Sequence, residues 1–129
     1  MINNILVLTS CFTIISVNYA FKKQKYILGN LYLLVLITSV YHHSTISYTE
    51  DQKYISGKID KYSIYFVALY NIYILIKLKN YYLIFVYVLV FWLFLCLLKP
   101  VKEYSGFEYL LHAFMLHFLG NVMNCYIIT

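Results

Sequence analysis

Residues 81–98, YYLIFVYVLVFWLFLCLL, run for 18 positions without one charged side chain. A run of that length and composition suits the hydrocarbon core of a bilayer, where a helix satisfies its own backbone groups. Working outward, four more apolar segments cover residues 5–21, 27–41, 62–78 and 107–128. At roughly 1.5 Å per residue the shorter ones reach about 22–27 Å, so interfacial Tyr and Lys must complete the crossing. The expectation is an all-α membrane protein, a bundle of about five transmembrane helices forming one domain over residues 1–129.

Composition points the same way. The chain is 63% hydrophobic, 20% aromatic and only 12% charged, too little charge to cover a soluble domain. The net charge of +5 comes entirely from lysines. These sit at segment ends, where they anchor to headgroups, and form no basic stripe of the kind nucleic acid needs. The expected partner is therefore membrane lipid and not nucleic acid, with multi-pass integral-membrane localisation. Lys53, Lys58, Lys61, Lys99 and Lys102 border one face, and Lys22, Lys23, Lys25, Lys77 and Lys79 the other. That balance leaves orientation open, as the sequence also leaves oligomeric state. The N-terminus has no positive region before its apolar run, so the first segment reads as a retained span. Cys11, Cys96 and Cys125 form no Cys-x-x-Cys pair; a thiolate zinc site is not expected, and the plain reading is three small buried hydrophobes.

Turn signals separate the segments at 22–25, 77–80 and 99–106, where Pro100 cannot continue a helix. Residues 44–58 form the longest polar stretch and read as a loop, with Gly57 at a turn. Five crossings bring the ends of segments two and three and the start of segment five to one face. That face receives His42, His43, Asp60, Glu108 and His112, with His117 a little deeper. Ionisable groups in apolar sequence are costly and seldom lack a partner or a task. Each has a plain alternative: a histidine bonded to headgroups, or Asp60 capping a helix start. Their common placement is what raises a site.

Neutral imidazole is the commonest metal ligand, and catalytic zinc takes three protein ligands. His42 or His43, with His112 and His117, would supply three nitrogens. Asp60 would act as the base toward the activated water. Thr38 or Ser39, one turn before His42 or His43, would steady an oxyanion or a ligand.

These residues resemble the superfamily of alkaline ceramidases, progestin/adipoQ receptors and hemolysin III-like proteins. Thr38-Ser39-Val40-Tyr41-His42 is similar to its Ser-x-x-Tyr-His motif. Ile59-Asp60-Lys61-Tyr62-Ser63-Ile64 resembles its Leu-Asp-x-x-x-Ile segment, and the string from His112 to Phe118 its His-Ala-x-x-His helix start. The resemblance implies a zinc centre held by three histidines, assistance from Asp60, and hydrolysis of a lipid amide or ester.

Two departures stand out. The superfamily has seven spans, and a missing helical pair would preserve the parity. Its histidines are His-x3-His, whereas His112 and His117 are five apart. In an α-helix five residues turn about 500°, leaving the rings roughly 140° apart. The spacing leaves three outcomes: a π-type widening between them, Glu108 pairing with His112, or no metal. Tyr41-His42 favours His42 over His43 as the first ligand, narrowly. The rival reading is a small non-enzymatic membrane protein, a subunit or packing element of a larger complex.

Overall fold

The computed structural model describes residues 2–44, 49–96 and 106–129; the side chains of 2–4, 93–96, 106, 108 and 109 lie outside that description. All described regular structure is helical, arranged as five rods. The first is broken into α1 (Ile2–Cys11) and α2 (Thr13–Lys22). Thr9 and Ser10 donate their hydroxyls back to the carbonyls of Ile5 (2.8 Å) and Leu6 (2.7 Å), a habit that bends helices. The backbone then tightens, with the Phe12 N–H donating to Thr9 O at 3.2 Å.

Two hairpins follow from one device. α2 turns into α3 (Tyr26–Ser44) through Gln24, at φ 58°, and the Lys25 N–H closes on Ala20 O at 2.8 Å. α4 (Glu50–Lys77) turns into α5 (Tyr81–Cys96) through Lys79, at φ 54°, with the Asn80 N–H on Leu75 O at 3.0 Å. Both are six-to-one closures around a left-handed residue, which satisfy carbonyls at a helix C-terminus. Neither position is glycine, so each carries a steric cost of about 1–2 kcal/mol.

The loop expected over 44–58 needs correction. Only 45–48 fall outside the described residues, and α4 begins at Glu50. Thr49 caps it reciprocally: its hydroxyl accepts the Gln52 N–H at 3.4 Å, and Gln52 Oε1 accepts the Thr49 N–H at 3.3 Å. Glu50 and Asp51 occupy the first turn, where carboxylates favour the positive dipole end. This Thr-x-x-Gln capping box was legible in the sequence and contributes about 1 kcal/mol. Gly57 is helical and lies under the His42 ring, where a Cβ would come within 3.0 Å of Cε1. Asp60 is therefore no helix cap; it sits in the third turn of α4. Residues 97–105, including the expected break at Pro100, lie outside the described residues.

The last rod is α6 (Gly106–Leu111), a π-helical segment His112–Leu119, and α7 (Gly120–Ile128). An apolar core joins Val17 and Ala20 of α2, Leu28 and Tyr32 of α3, Val67 and Leu75 of α4, and Ile127 and Ile128 of α7. Among the described residues twelve polar side chains are buried beside twelve apolar ones, while Leu8, Phe66, Leu69, Phe85, Trp92 and many like them are exposed. The outside is thus greasy and the inside unusually polar. Cys11 is exposed and Cys125 half-buried, so the expectation of buried thiols fails at Cys11. Two segments, Ile5–Lys22 and Glu50–Lys77, are long and apolar enough to cross a membrane by length and composition; Tyr81–Trp92 is shorter.

Candidate metal centre

Three rods deliver the site. α3 ends on Thr38, Ser39, His42 and His43; α4 brings Ser56 and Asp60; the last rod brings His112 and His117. The π-segment decides the outcome. An i→i+5 ladder widens the turn and returns residues five apart to one face, and His112 and His117 share a face with Nε2···Nε2 of 3.2 Å. The ring centroid of His43 lies 5.3 Å from each. The three form a buried group whose ligand atoms all lie within 4.8 Å of one another, and it could hold a metal ion.

His42, narrowly favoured over His43 by the Tyr-His match, is not in this group. It faces α4, where its Nδ1 lies 2.9 Å from Ser56 Oγ. Ser56 Oγ also lies 3.0 Å from Lys53 O, which ties the ring to α4. The reason is rotational. Consecutive residues on a helix point about 100° apart, so His42 and His43 cannot both face the last rod, and the pocket over Gly57 receives His42. Glu108 lies on α6, and its side chain is outside the described residues.

Asp60 is buried at 6% exposure. Its Oδ1 accepts the Ser39 hydroxyl at 2.5 Å and the Thr38 hydroxyl at 3.3 Å. The structure thus unites Asp60, Ser39 and Thr38: the Ser39 hydroxyl turns to the carboxylate, and the Thr38 hydroxyl is shared between the carboxylate and Val35 O at 3.2 Å. The carboxylate does not itself join the 4.8 Å group of imidazoles. Ser39, His112 and His117 line one cavity of about 100 Å³, whose other walls include Val35, Ile64, Phe91 and Leu116.

The donor set fits a metal ion on three observations. His43 Nε2 is buried and has no hydrogen-bond partner, which a buried polar atom tolerates poorly. Tetrahedral zinc with bonds of 2.0–2.1 Å sets its nitrogens about 3.3–3.4 Å apart, close to the 3.2 Å between His112 and His117. The ligands are neutral-imidazole nitrogens, which suit zinc and other first-row metals.

The widened helix is also braced from the first rod, at a carbonyl that already accepts the Gly120 N–H. Asn121 Nδ2 donates to His117 O at 2.6 Å and to Thr13 Oγ1 at 3.1 Å, and its Oδ1 accepts from Ser16 at 2.9 Å. The first rod therefore braces the last. Its hydroxyl row, Thr9, Ser10, Thr13 and Ser16 at helical spacing inside an apolar segment, is the sequence signal for that brace.

No protein-family model, curated protein or solved structure matches this chain.

Proposed function

We propose that the chain is a multi-pass integral membrane protein, a bundle of five transmembrane rods, whose His43, His112 and His117 hold zinc to hydrolyse an amide or ester bond in a lipid. One observation carries the reading: a helix departs from α geometry over His112–Leu119, and that departure lets two histidines share a face with a third, whose buried nitrogen lacks a partner. The membrane assignment is supported by the apolar exterior, on which large side chains such as Leu8, Phe66, Leu69, Phe85 and Trp92 are exposed. The reaction class rests on the resemblance to the ceramidase and progestin-receptor superfamily.

When bound, such an ion polarises a carbonyl and activates water for attack. The chain's own residues do the rest. The apolar walls of the pocket, Val35, Ile64, Phe91 and Leu116, take the hydrocarbon chain and exclude bulk water. Ser39 lines that pocket and donates to Asp60. A proton leaving the attacking water reaches Asp60 through the Ser39 hydroxyl, and returns to the leaving amine or alkoxide as its bond to the carbonyl carbon breaks. Thr38 holds the same carboxylate oxygen and fixes its aim.

The test is elemental analysis of detergent-purified protein, followed by fatty-acid release from N-acyl and O-acyl lipids in mixed micelles. One zinc per chain with release is expected. Stoichiometric metal without release from either class would end the hydrolase reading. Metal-free protein would end both, leaving the non-enzymatic membrane subunit.

A further inference from the structure

The first rod reaches the metal group through Thr9. Thr9 Oγ1 lies 2.7 Å from His117 Nδ1, across 108 residues of sequence. The direction of that bond follows from counting hydrogens. A threonine hydroxyl has one hydrogen, and it is directed at the backbone: Ile5 O is 2.8 Å away and Leu6 O 3.2 Å. Carbonyl oxygens cannot donate. Were the hydrogen turned toward His117, Thr9 Oγ1 would face Ile5 O at 2.8 Å with no proton between two lone-pair atoms. The imidazole is therefore the donor, and His117 carries its proton on Nδ1.

That tautomer has a consequence at the other nitrogen. With the proton on Nδ1, Nε2 keeps its lone pair, and Nε2 is the atom that faces His112 at 3.2 Å. The opposite tautomer would place a hydrogen where a metal must sit. We infer that Thr9 is the positioning residue of the metal centre, fixing the rotation and tautomer of His117 so that its Nε2 lone pair points into the histidine group. This rests on the zinc reading above for its purpose, but not for its geometry. α1 then has a role beyond filling space: its bend at Thr9 and Ser10 aims a hydroxyl lone pair at the ligand. Outer partners of metal-bound histidines commonly fix the tautomer in this way.

The experiment compares wild type, Thr9→Val and Thr9→Ser in detergent. Two quantities are read: zinc affinity by competition with a chromophoric chelator, and the His117 tautomer by imidazole 15N shifts in metal-free protein. Thr9→Val is isosteric and lacks the acceptor. It should lower zinc affinity by about tenfold to a hundredfold and move the His117 proton off Nδ1 in part of the population. Thr9→Ser should restore both, which a purely packing role for the threonine methyl would not do. A Thr9→Val protein with the wild-type tautomer overturns the inference. So does one whose tautomer shifts while its affinity stays at the wild-type value. Wild type that binds no zinc sinks the metal centre instead, and the 15N comparison still decides whether Thr9 holds the ring.

Discussion

Two of the buried polar clusters in this bundle, one around Asn71 and one around His43, behave differently. Along α3 from Tyr32 to His43, and along α4 from Asn71 to Asp60, they are eleven residues apart, about 16 Å at helical rise. In the first, Asn71 accepts from Tyr32 OH at 3.0 Å and donates to Tyr87 OH at 2.6 Å and Asn124 Oδ1 at 2.9 Å. That amide joins α3, α4, α5 and α7, and they remain regular helices there. In the second, the helix carrying two histidines is distorted, and His43 Nε2 is the buried side-chain atom without a partner among the described residues. A self-satisfied network is interhelical glue. A distorted helix facing an unpaired nitrogen has room for a guest, and distortions of this kind gather at functional sites.

Four measurements would break or sharpen that contrast. The largest effect is expected at the ligands. His43→Ala should remove bound zinc, lowering affinity by more than about a hundredfold, since an outer partner alone is worth about ten- to a hundredfold. His42→Ala should leave the metal in place, because His42 bonds Ser56. Reversal of that order in elemental analysis would return the ligand role to His42. Next comes Asp60→Asn, expected to slow lipid hydrolysis by about 10²–10⁴-fold, the range for a positioned acid–base group. Its zinc content should match wild type, and lost metal would instead make Asp60 a ligand.

Asn71→Ala should act on stability alone. Three interhelical bonds at about 0.6 kcal/mol each predict a loss of about 2 kcal/mol in denaturation. Zinc affinity should stay within about twofold, as for sites well separated in space; a larger change would join the two clusters into one unit. The smallest effect is expected from deleting Phe114, whose side chain is 58% exposed. Removing one residue converts His-x4-His to His-x3-His, which a regular α-helix already places on one face. Stoichiometric zinc should persist. Its loss would mean that the π-segment shapes the site in some way other than bringing His112 and His117 together.

Much of this was open to reading in the chain itself. An apolar run such as 81–96 makes a helix because only a helix closes its own hydrogen bonds, and that is local physics. Lysine-rich breaks at 22–25 and 77–80 mark hairpins for the same local reason. Parity of the segments was enough to bring His112, His117, Asp60 and the His42–His43 pair toward one face. The start of α4 was legible too, in Thr49-x-x-Gln52, although the charges beyond it masked the helix. What sequence periodicity could not decide was rotation. Whether His42 or His43 faces the last rod depends on Gly57 leaving room for one ring over α4. Whether residues five apart share a face depends on a ladder that slips by one, in a segment where Asn121 bonds the His117 carbonyl and Thr13 and Ser16 bond Asn121. Both are settled by contacts more than a dozen residues distant in sequence, and so only the packed bundle decides them.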